Sequence, residues 1–225
     1  MECKVCLEER APKGPVLRLF EVSLEEVKKR LEGFSFSYRV SLSGIDLFFC
    51  SRNELKKAKE LLRPFVYSEG PPLEEAVGKR LKELGLTLSC AESCTGGLVS
   101  ARVVNVPGSS AYFKGGVVAY ANELKVSLLG VPEELISRFG AVSRPVCHEM
   151  LEGLRRRFKT DCGIAVTGIA GPGGSERKPE GLTYVGVYAK GKQVILKRVF
   201  KGERNEKRFL SSQTALFYLL KLLER

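Results

Sequence analysis

The run Leu86-Thr87-Leu88-Ser89-Cys90-Ala91-Glu92-Ser93-Cys94-Thr95-Gly96-Gly97-Leu98 decides the fold of most of this chain. Leu86 to Cys90 is short and apolar enough to predict a buried strand. Small and hydroxyl residues follow, and then Leu98, Val99, Ala101, Val103 and Val104 supply the apolar positions of a helix that starts at Ser93 or Thr95. Strand, Gly-containing turn and helix form the unit from which open α/β sheets are built, and such sheets place ligands at the strand ends that carry the turns.

The same logic extends in both directions. Gly115 to Tyr120 reads as a second buried strand, with Asn122 capping a helix through Leu129, and Cys162 to Thr167 as a third. Ser143, with Pro145 in the first turn, opens another helix. Thr183 to Ala189 and Val194 to Phe200 form a hairpin around Gly191, which makes the sheet mixed, and Asn205 to Leu223 is a terminal amphipathic helix. Upstream, Leu73 to Leu84 has helical spacing and closes at Gly85, while Pro71-Pro72 marks a boundary. Before it, Leu17 to Val22 reads as a strand, and Ser23 with Glu26 as a capping box for a helix to Glu32. Strands Ser35 to Leu42 and Ile45 to Cys50 turn at Ser43-Gly44, and Asn53 caps a helix through Leu62. The expectation is a layered α/β domain with a mixed sheet over residues 71–225, preceded by a small α+β module, βαββα, in residues 1–70. That module would be marginal alone.

Bulk composition narrows the classes. The chain of 225 residues is 44% hydrophobic, enough for one good core or a small and a medium one. It has no apolar run of spanning length, and its first residues lack the apolar core of a secretory signal, so a cytoplasmic location and no membrane partner are expected. The seven cysteines are an odd number and widely spread, which suits reduced thiols. Cys3 and Cys6 form a lone CxxC without the second pair a zinc ribbon needs, so no metal is expected. The net charge of +11 is unevenly distributed: residues 1–70 carry 13 Lys+Arg against 11 Asp+Glu, net +2, and residues 71–225 carry 24 against 15, net +9. The positive excess of the second region suits an anionic small substrate as well as a polyanion.

Three segments carry the chemistry. They are Ala91 to Gly97, Gly108-Ser109-Ser110 with Gly115-Gly116 beyond it, and Thr167-Gly168-Ile169-Ala170-Gly171-Pro172-Gly173-Gly174. Each can turn backbone N–H groups and a helix N-terminus toward an anion, although any one alone can equally be a simple turn. A Ser-His-Asp device would rest entirely on His148, the single histidine. The remaining way to activate a hydroxyl is a lysine whose pKa is lowered by burial, often beside a tyrosine. Lys125, five residues after Tyr120, is the candidate, set against the commoner fate of a helical lysine, which is solvation. Cys94 is a second conceivable nucleophile, weighed against an inert buried thiol.

Together these segments resemble the CinA C-terminal domain, the nicotinamide-nucleotide amidase family. The resemblance is carried by AESCTGG at Ala91 to Gly97, GSSAYF.GGVVAY.N..K from Gly108 to Lys125, LLGV at Leu128 to Val131, GAVS at Gly140 to Ser143 and TGIAGPGG at Thr167 to Gly174. It implies hydrolysis of the carboxamide of nicotinamide mononucleotide (NMN) to nicotinic acid mononucleotide and ammonia, in bacterial pyridine-nucleotide recycling, without a cofactor. Carried over by motif, it implies Ser110 as nucleophile, Lys125 as base, Tyr120 as the hydroxyl that orients or relays the proton, and Ser93 as a polar site residue. The division of labour between Ser110 and Ser93 stays open. Thr95, Gly96, Gly97, Ser109, Asn122, Thr167, Gly168, Gly171 and Gly173 are expected to line the substrate. Arg204 or Arg208 is expected to meet its phosphate, with an exposed basic helix face as the alternative.

Residues 1–70 resemble, more weakly, the KH-like middle segment of full-length CinA proteins. Those also carry a molybdopterin-binding-like domain not found in this sequence, so activity belonging to that domain is not expected. The module has no GxxG loop between its helices, which argues against nucleic acid. A homo-oligomer is expected. The competing reading is a catalytically silent CinA-like module that binds nucleic acid or a protein partner, and salt-dependent association would reveal it.

Overall fold

The computed structural model describes residues 14–174 and 178–224; Cys3, Cys6 and residues 175–177 lie outside them. The chain divides into two compact units, Met1–Leu73 and Glu74–Arg225.

The first unit runs β1 (Val16–Leu19), α1 (Leu24–Arg30), β2 (Phe36–Ser41), β3 (Gly44–Phe49), α2 (Arg52–Leu62) and β4 (Val66–Ser68). Its sheet has the order β2-β3-β1-β4 with every pairing antiparallel. Leu17, Leu19, Ile45, Leu47 and Phe49 alternate toward one face, where Val27 and Leu31 of the first helical segment and Leu55, Ala58 and Leu62 of α2 complete a core. Ser23 caps α1, accepting a hydrogen bond from Glu26 N.

Two expectations for this unit are corrected. Ser51, not Asn53, caps α2, accepting from Glu54 N at 3.2 Å. Val66–Ser68 is a buried strand on β1, so the unit is βαββαβ. Three residues are too few to show a period of two, and the pairing partner is nearly fifty residues away in sequence.

The second unit begins with α3 (Leu73–Leu84), β5 (Leu88–Glu92), α4 (Leu98–Val104), a 3-10 turn at Ser109–Ala111 and β6 (Phe113–Val118). It continues through α5 (Asn122–Leu129), α6 (Glu133–Phe139), α7 (Arg144–Phe158), β7 (Cys162–Gly168), β8 (Leu182–Ala189), β9 (Lys192–Val199) and α8 (Arg204–Leu223). The sheet order is β6-β5-β7-β8-β9: β6, β5 and β7 are parallel, and β8 and β9 run antiparallel to their neighbours. Lys190 and Gly191, both at positive φ, form the two-residue turn of the β8-β9 hairpin. Asn122 is the first residue of α5 rather than its cap, which is Ala121.

Alternation along the strands fixes the layers. Ala91 of β5, Ala165 of β7 and Tyr188 of β8 face α7, which contributes Val146, Cys147, Met150, Leu151 and Leu154. The small residues at the sheet centre let this helix sit close: a side chain at Gly186 would meet Leu151 and Cys147. α4 and α8 pack together over the other face. There Arg102, only 6% exposed, donates to Ser212 Oγ, Gln213 Oε1 and Glu74 Oε2, so its buried charge is paired.

Gly153 marks the closest helix approach, because a Cβ there would stand 2.2 Å from Leu129 O. Gly153→Ala is expected to force α7 away from α5 and cost about 1–3 kcal/mol. Urea denaturation checks this, and a midpoint equal to that of the parent would contradict it.

Candidate active site

The parallel strands β5, β6 and β7 end side by side at Glu92, Val118 and Gly168. Their loops are tied together by backbone: Ala119 N donates to Glu92 O, and Ser93 N to Val166 O. The loop after β5 is a tight turn, with Gly96 N donating to Ser93 O and Leu98 N to Thr95 O. Gly96 and Gly97 both have positive φ there, a conformation that a side chain would strain.

The helix expected to start at Ser93 or Thr95 starts later, with Gly97 as N-cap. Neither hydroxyl caps it. Glu92, fully buried at the strand end, performs that role: its carboxylate accepts from Val99 N at 3.0 Å, Ser100 N at 2.8 Å and Ser100 Oγ at 2.7 Å. The amides at the start of α4 are thus satisfied by the protein's own anion and are not free to receive another. A glutamate seven and eight residues before its backbone donors is outside the usual capping patterns, which is why sequence reasoning missed it.

Lys125 is the centre of the cluster. It is 1% exposed, and its Nζ donates to Ala119 O at 2.9 Å and Tyr120 O at 3.0 Å. Burial pushes its pKa below the ordinary lysine value, while the nearby Cys94 thiol and Glu123 push it back up. A neutral amine has two N–H bonds and one lone pair. With both hydrogens held by backbone carbonyls, the lone pair is fixed in direction, as a proton acceptor requires.

Ser93 is 7% exposed on the neighbouring loop. Its loop follows Glu92, whose carbonyl accepts from Ala119 N, and Lys125 Nζ donates to Ala119 O, so this loop and the amine lie at the same strand ends. The Cys94 thiol is pushed up to about 12, mainly by burial and also by the charge of Glu92, while Arg208 and Lys125 lower it. As a thiol it is a poor nucleophile at neutral pH. Thr95 Oγ1 is buried and without a hydrogen-bond partner among the described residues.

Most of the remaining expected residues also converge here. Thr167 is buried and its Oγ1 donates to Ala141 O at 3.0 Å, which locates the Gly140 to Ser143 segment beside β7. Gly168 permits close packing of the loops, since a Cβ would lie 2.9 Å from Cys94 Sγ and 2.6 Å from Thr183 Oγ1. A Cβ at Gly171 would strike the Glu180 carboxylate, and Gly173 N donates to Glu180 Oε2 at 2.7 Å. Glu180 in turn pairs with the buried Lys207 of α8, and the Lys207 and Gly173 hydrogen bonds hold its carboxyl below the usual range. Arg204 donates to Gly171 O and to Tyr120 Oη, the latter at 3.1 Å. Arg208 donates to Thr95 O at 2.9 Å. The start of α8 therefore reaches all three loops. Asn122 is exposed at the start of α5.

Ser109 and Ser110 are the exception. They occupy the 3-10 turn before β6, whereas Tyr120 and Lys125 follow it. Leu88 N donates to Tyr112 O, placing the turn at the beginning of β5, and the two ends of the six-residue strand β6 are about 17 Å apart. Within one chain, Ser110 and Lys125 are not brought together. The serine on the loop beside the lysine is Ser93. His148 is exposed on α7 and takes no part in this cluster.

Among the described residues, no three His, Cys, Asp or Glu side chains are grouped to hold a metal ion. No helix among them is long and apolar enough to cross a membrane. A shallow cleft lined by Arg52, Leu55, Lys56 and Glu69 belongs to the first unit and contains none of the groups described above.

The sequence model of the CinA C-terminal domain matches residues 71–223. This chain belongs to the CinA family. It is 46% identical over 173 residues to a putative competence-damage inducible protein of Halothermothrix orenii, covering 76% of this chain and 42% of that protein. A CinA-like protein of Sulfurihydrogenibium is 47% identical over 189 residues, with coverage of 80% and 47%. The chain thus spans less than half the length of these two relatives. A CinA-like protein of Gemmatimonas aurantiaca, 38% identical, aligns over 97% of this chain and so includes its first unit. Among solved structures, the competence/damage inducible protein CihA of Agrobacterium tumefaciens shares 39% identity, covering 70% of this chain and 99% of its own, with a TM-score of 0.63. The CinA superfamily protein of Escherichia coli matches with 32% identity, coverage of 67% and 88%, and a TM-score of 0.65.

Proposed function

We propose that the chain is an amidohydrolase that converts NMN to nicotinic acid mononucleotide and ammonia. The observation that carries this reading is Lys125: a buried lysine with lowered pKa, two of its donors held by backbone carbonyls, beside a loop that begins with Ser93. This is the arrangement a serine hydrolase needs when no histidine is available. The family resemblance supplies the substrate, and the basic excess of this region suits its phosphate.

In the proposed reaction Lys125 removes the Ser93 hydroxyl proton as Oγ attacks the carboxamide carbon. The oxyanion that forms is received by backbone amides of the turn after Ser93. As the C–N bond breaks, the proton returns to the leaving nitrogen and ammonia departs, leaving an ester on Ser93. Lys125 then activates a water molecule that hydrolyses the ester, releasing the acid and restoring the serine. Tyr120 supplies a hydroxyl at the rim for proton transfer or for holding the substrate. Thr95 Oγ1, buried and unpartnered among the described residues, offers a further substrate contact.

The test is incubation of chelator-treated protein with NMN, following ammonia and nicotinic acid mononucleotide together. Equal release of both is expected. Their absence from folded protein, combined with salt-dependent binding of single-stranded nucleic acid, would replace this reading with that of a silent binding module.

A further inference from the structure

The Arg204 guanidinium is engaged on both of its terminal nitrogens: Nη1 donates to Gly171 O and Nη2 to Tyr120 Oη at 3.1 Å. It thereby joins the loop after β7 to the loop after β6. The neighbouring contacts of α8 reinforce the junction, because Lys207 is buried against Glu180, whose second carboxylate oxygen receives Gly173 N. The capping box of Glu203 and Glu206 fixes the first turn from which Arg204 projects. Tyr120 itself is 59% exposed, so little packing restrains its ring.

We propose that Arg204 is a positioning residue for Tyr120, rather than a ligand for the substrate phosphate. The proposal rests on the amidase reading of the same site. A guanidinium can only donate, so the bond to Oη makes the phenol oxygen the acceptor. The phenol's own hydrogen is then directed away from Arg204. Because the same fork is anchored on Gly171 O, the phenol is held at a defined distance from the loop after β7. A lysine presents its donors from one atom on a flexible stem and does not reproduce the planar two-pronged fork.

The phosphate role and the positioning role predict different kinetics. A positioning residue acts through kcat, whereas loss of a phosphate ligand raises KM and leaves kcat. Arg204→Ala is expected to lower kcat on NMN roughly 10²-fold with little change in KM, as misplacement of a reacting group does. Arg204→Lys is expected not to rescue it. In the Tyr120→Phe background, Arg204→Ala is expected to cost almost nothing further, since both changes remove one device. A raised KM with unchanged kcat, or full additivity of the two substitutions, would overturn the proposal.

A second readout does not depend on turnover. In protein labelled with 3-fluorotyrosine, the resonance missing from Tyr120→Phe identifies Tyr120 among the seven tyrosines. Arg204→Lys is expected to shift or broaden that resonance and leave the other six in place. An unmoved Tyr120 signal would overturn the positioning claim even in a protein inert toward NMN, and inertness with a moved signal would count against the amidase reading alone.

Discussion

Ser93→Ala is expected to abolish NMN deamidation, lowering kcat at least about 10³-fold, while Ser110→Ala leaves it unchanged. Motif resemblance left both serines open. The sheet separates them within one chain: Ser93 follows β5 at the strand ends where Lys125 lies, and Ser110 precedes β6 at the other end, the length of that strand, about 17 Å, away. Side-chain flexibility cannot close such a gap. Loss of activity in Ser110→Ala with an intact fold, or retention in Ser93→Ala, would reverse the assignment. Cys94 is not expected to substitute for a missing Ser93, since burial keeps its thiol protonated.

Lys125→Met is expected to lower kcat about 10²–10⁴-fold, the usual contribution of a general base. The pH dependence should carry the same signature. Because burial lowers the Lys125 pKa, kcat/KM of the parent is expected to rise with pH as the amine loses its proton, with the limb below the ordinary lysine value of 10.5. The sign for stability follows from proton binding. Between the lowered folded pKa and the ordinary unfolded one, the unfolded chain binds more protons, so stability rises with pH through that window. Lys125→Met should remove this component. A kcat/KM profile that falls with pH over that range, or a pH-stability profile identical in parent and Lys125→Met, would contradict this role.

Much of the fold is legible in local sequence because local groups determine it. The Gly191 turn between alternating apolar runs specifies the β8-β9 hairpin, and Ser23 and Ser143 sit where a serine must stand to accept the third amide of a helix. What is not legible depends on groups brought from elsewhere. β4 exists because β1 offers an open edge, and the start of α4 is set by the Glu92 carboxylate rather than by the hydroxyls nearest to it. α6 is seven residues long, and its Leu135 and Ile136 are only partly buried against the core, too short an apolar run to announce a helical period.

The site divides in the same way. Lys125 and Tyr120 are found from residue type and spacing, whereas Lys207 and Glu180 look like ordinary surface charges until α8 meets the loop after β7. The separation of Ser110 from Lys125 within one chain had a readable signal, because a strand of six residues lies between them.

The most direct test of the serine-lysine account is to stop the reaction before deacylation. Parent protein mixed with NMN, quenched in acid within a turnover and digested, should carry the nicotinate mononucleotide acyl group on the peptide containing Ser93. Lys125→Met should carry none. The same group found on the Ser110 peptide, or rapid turnover by parent protein with no acyl group at Ser93 at any quench time, would contradict the account.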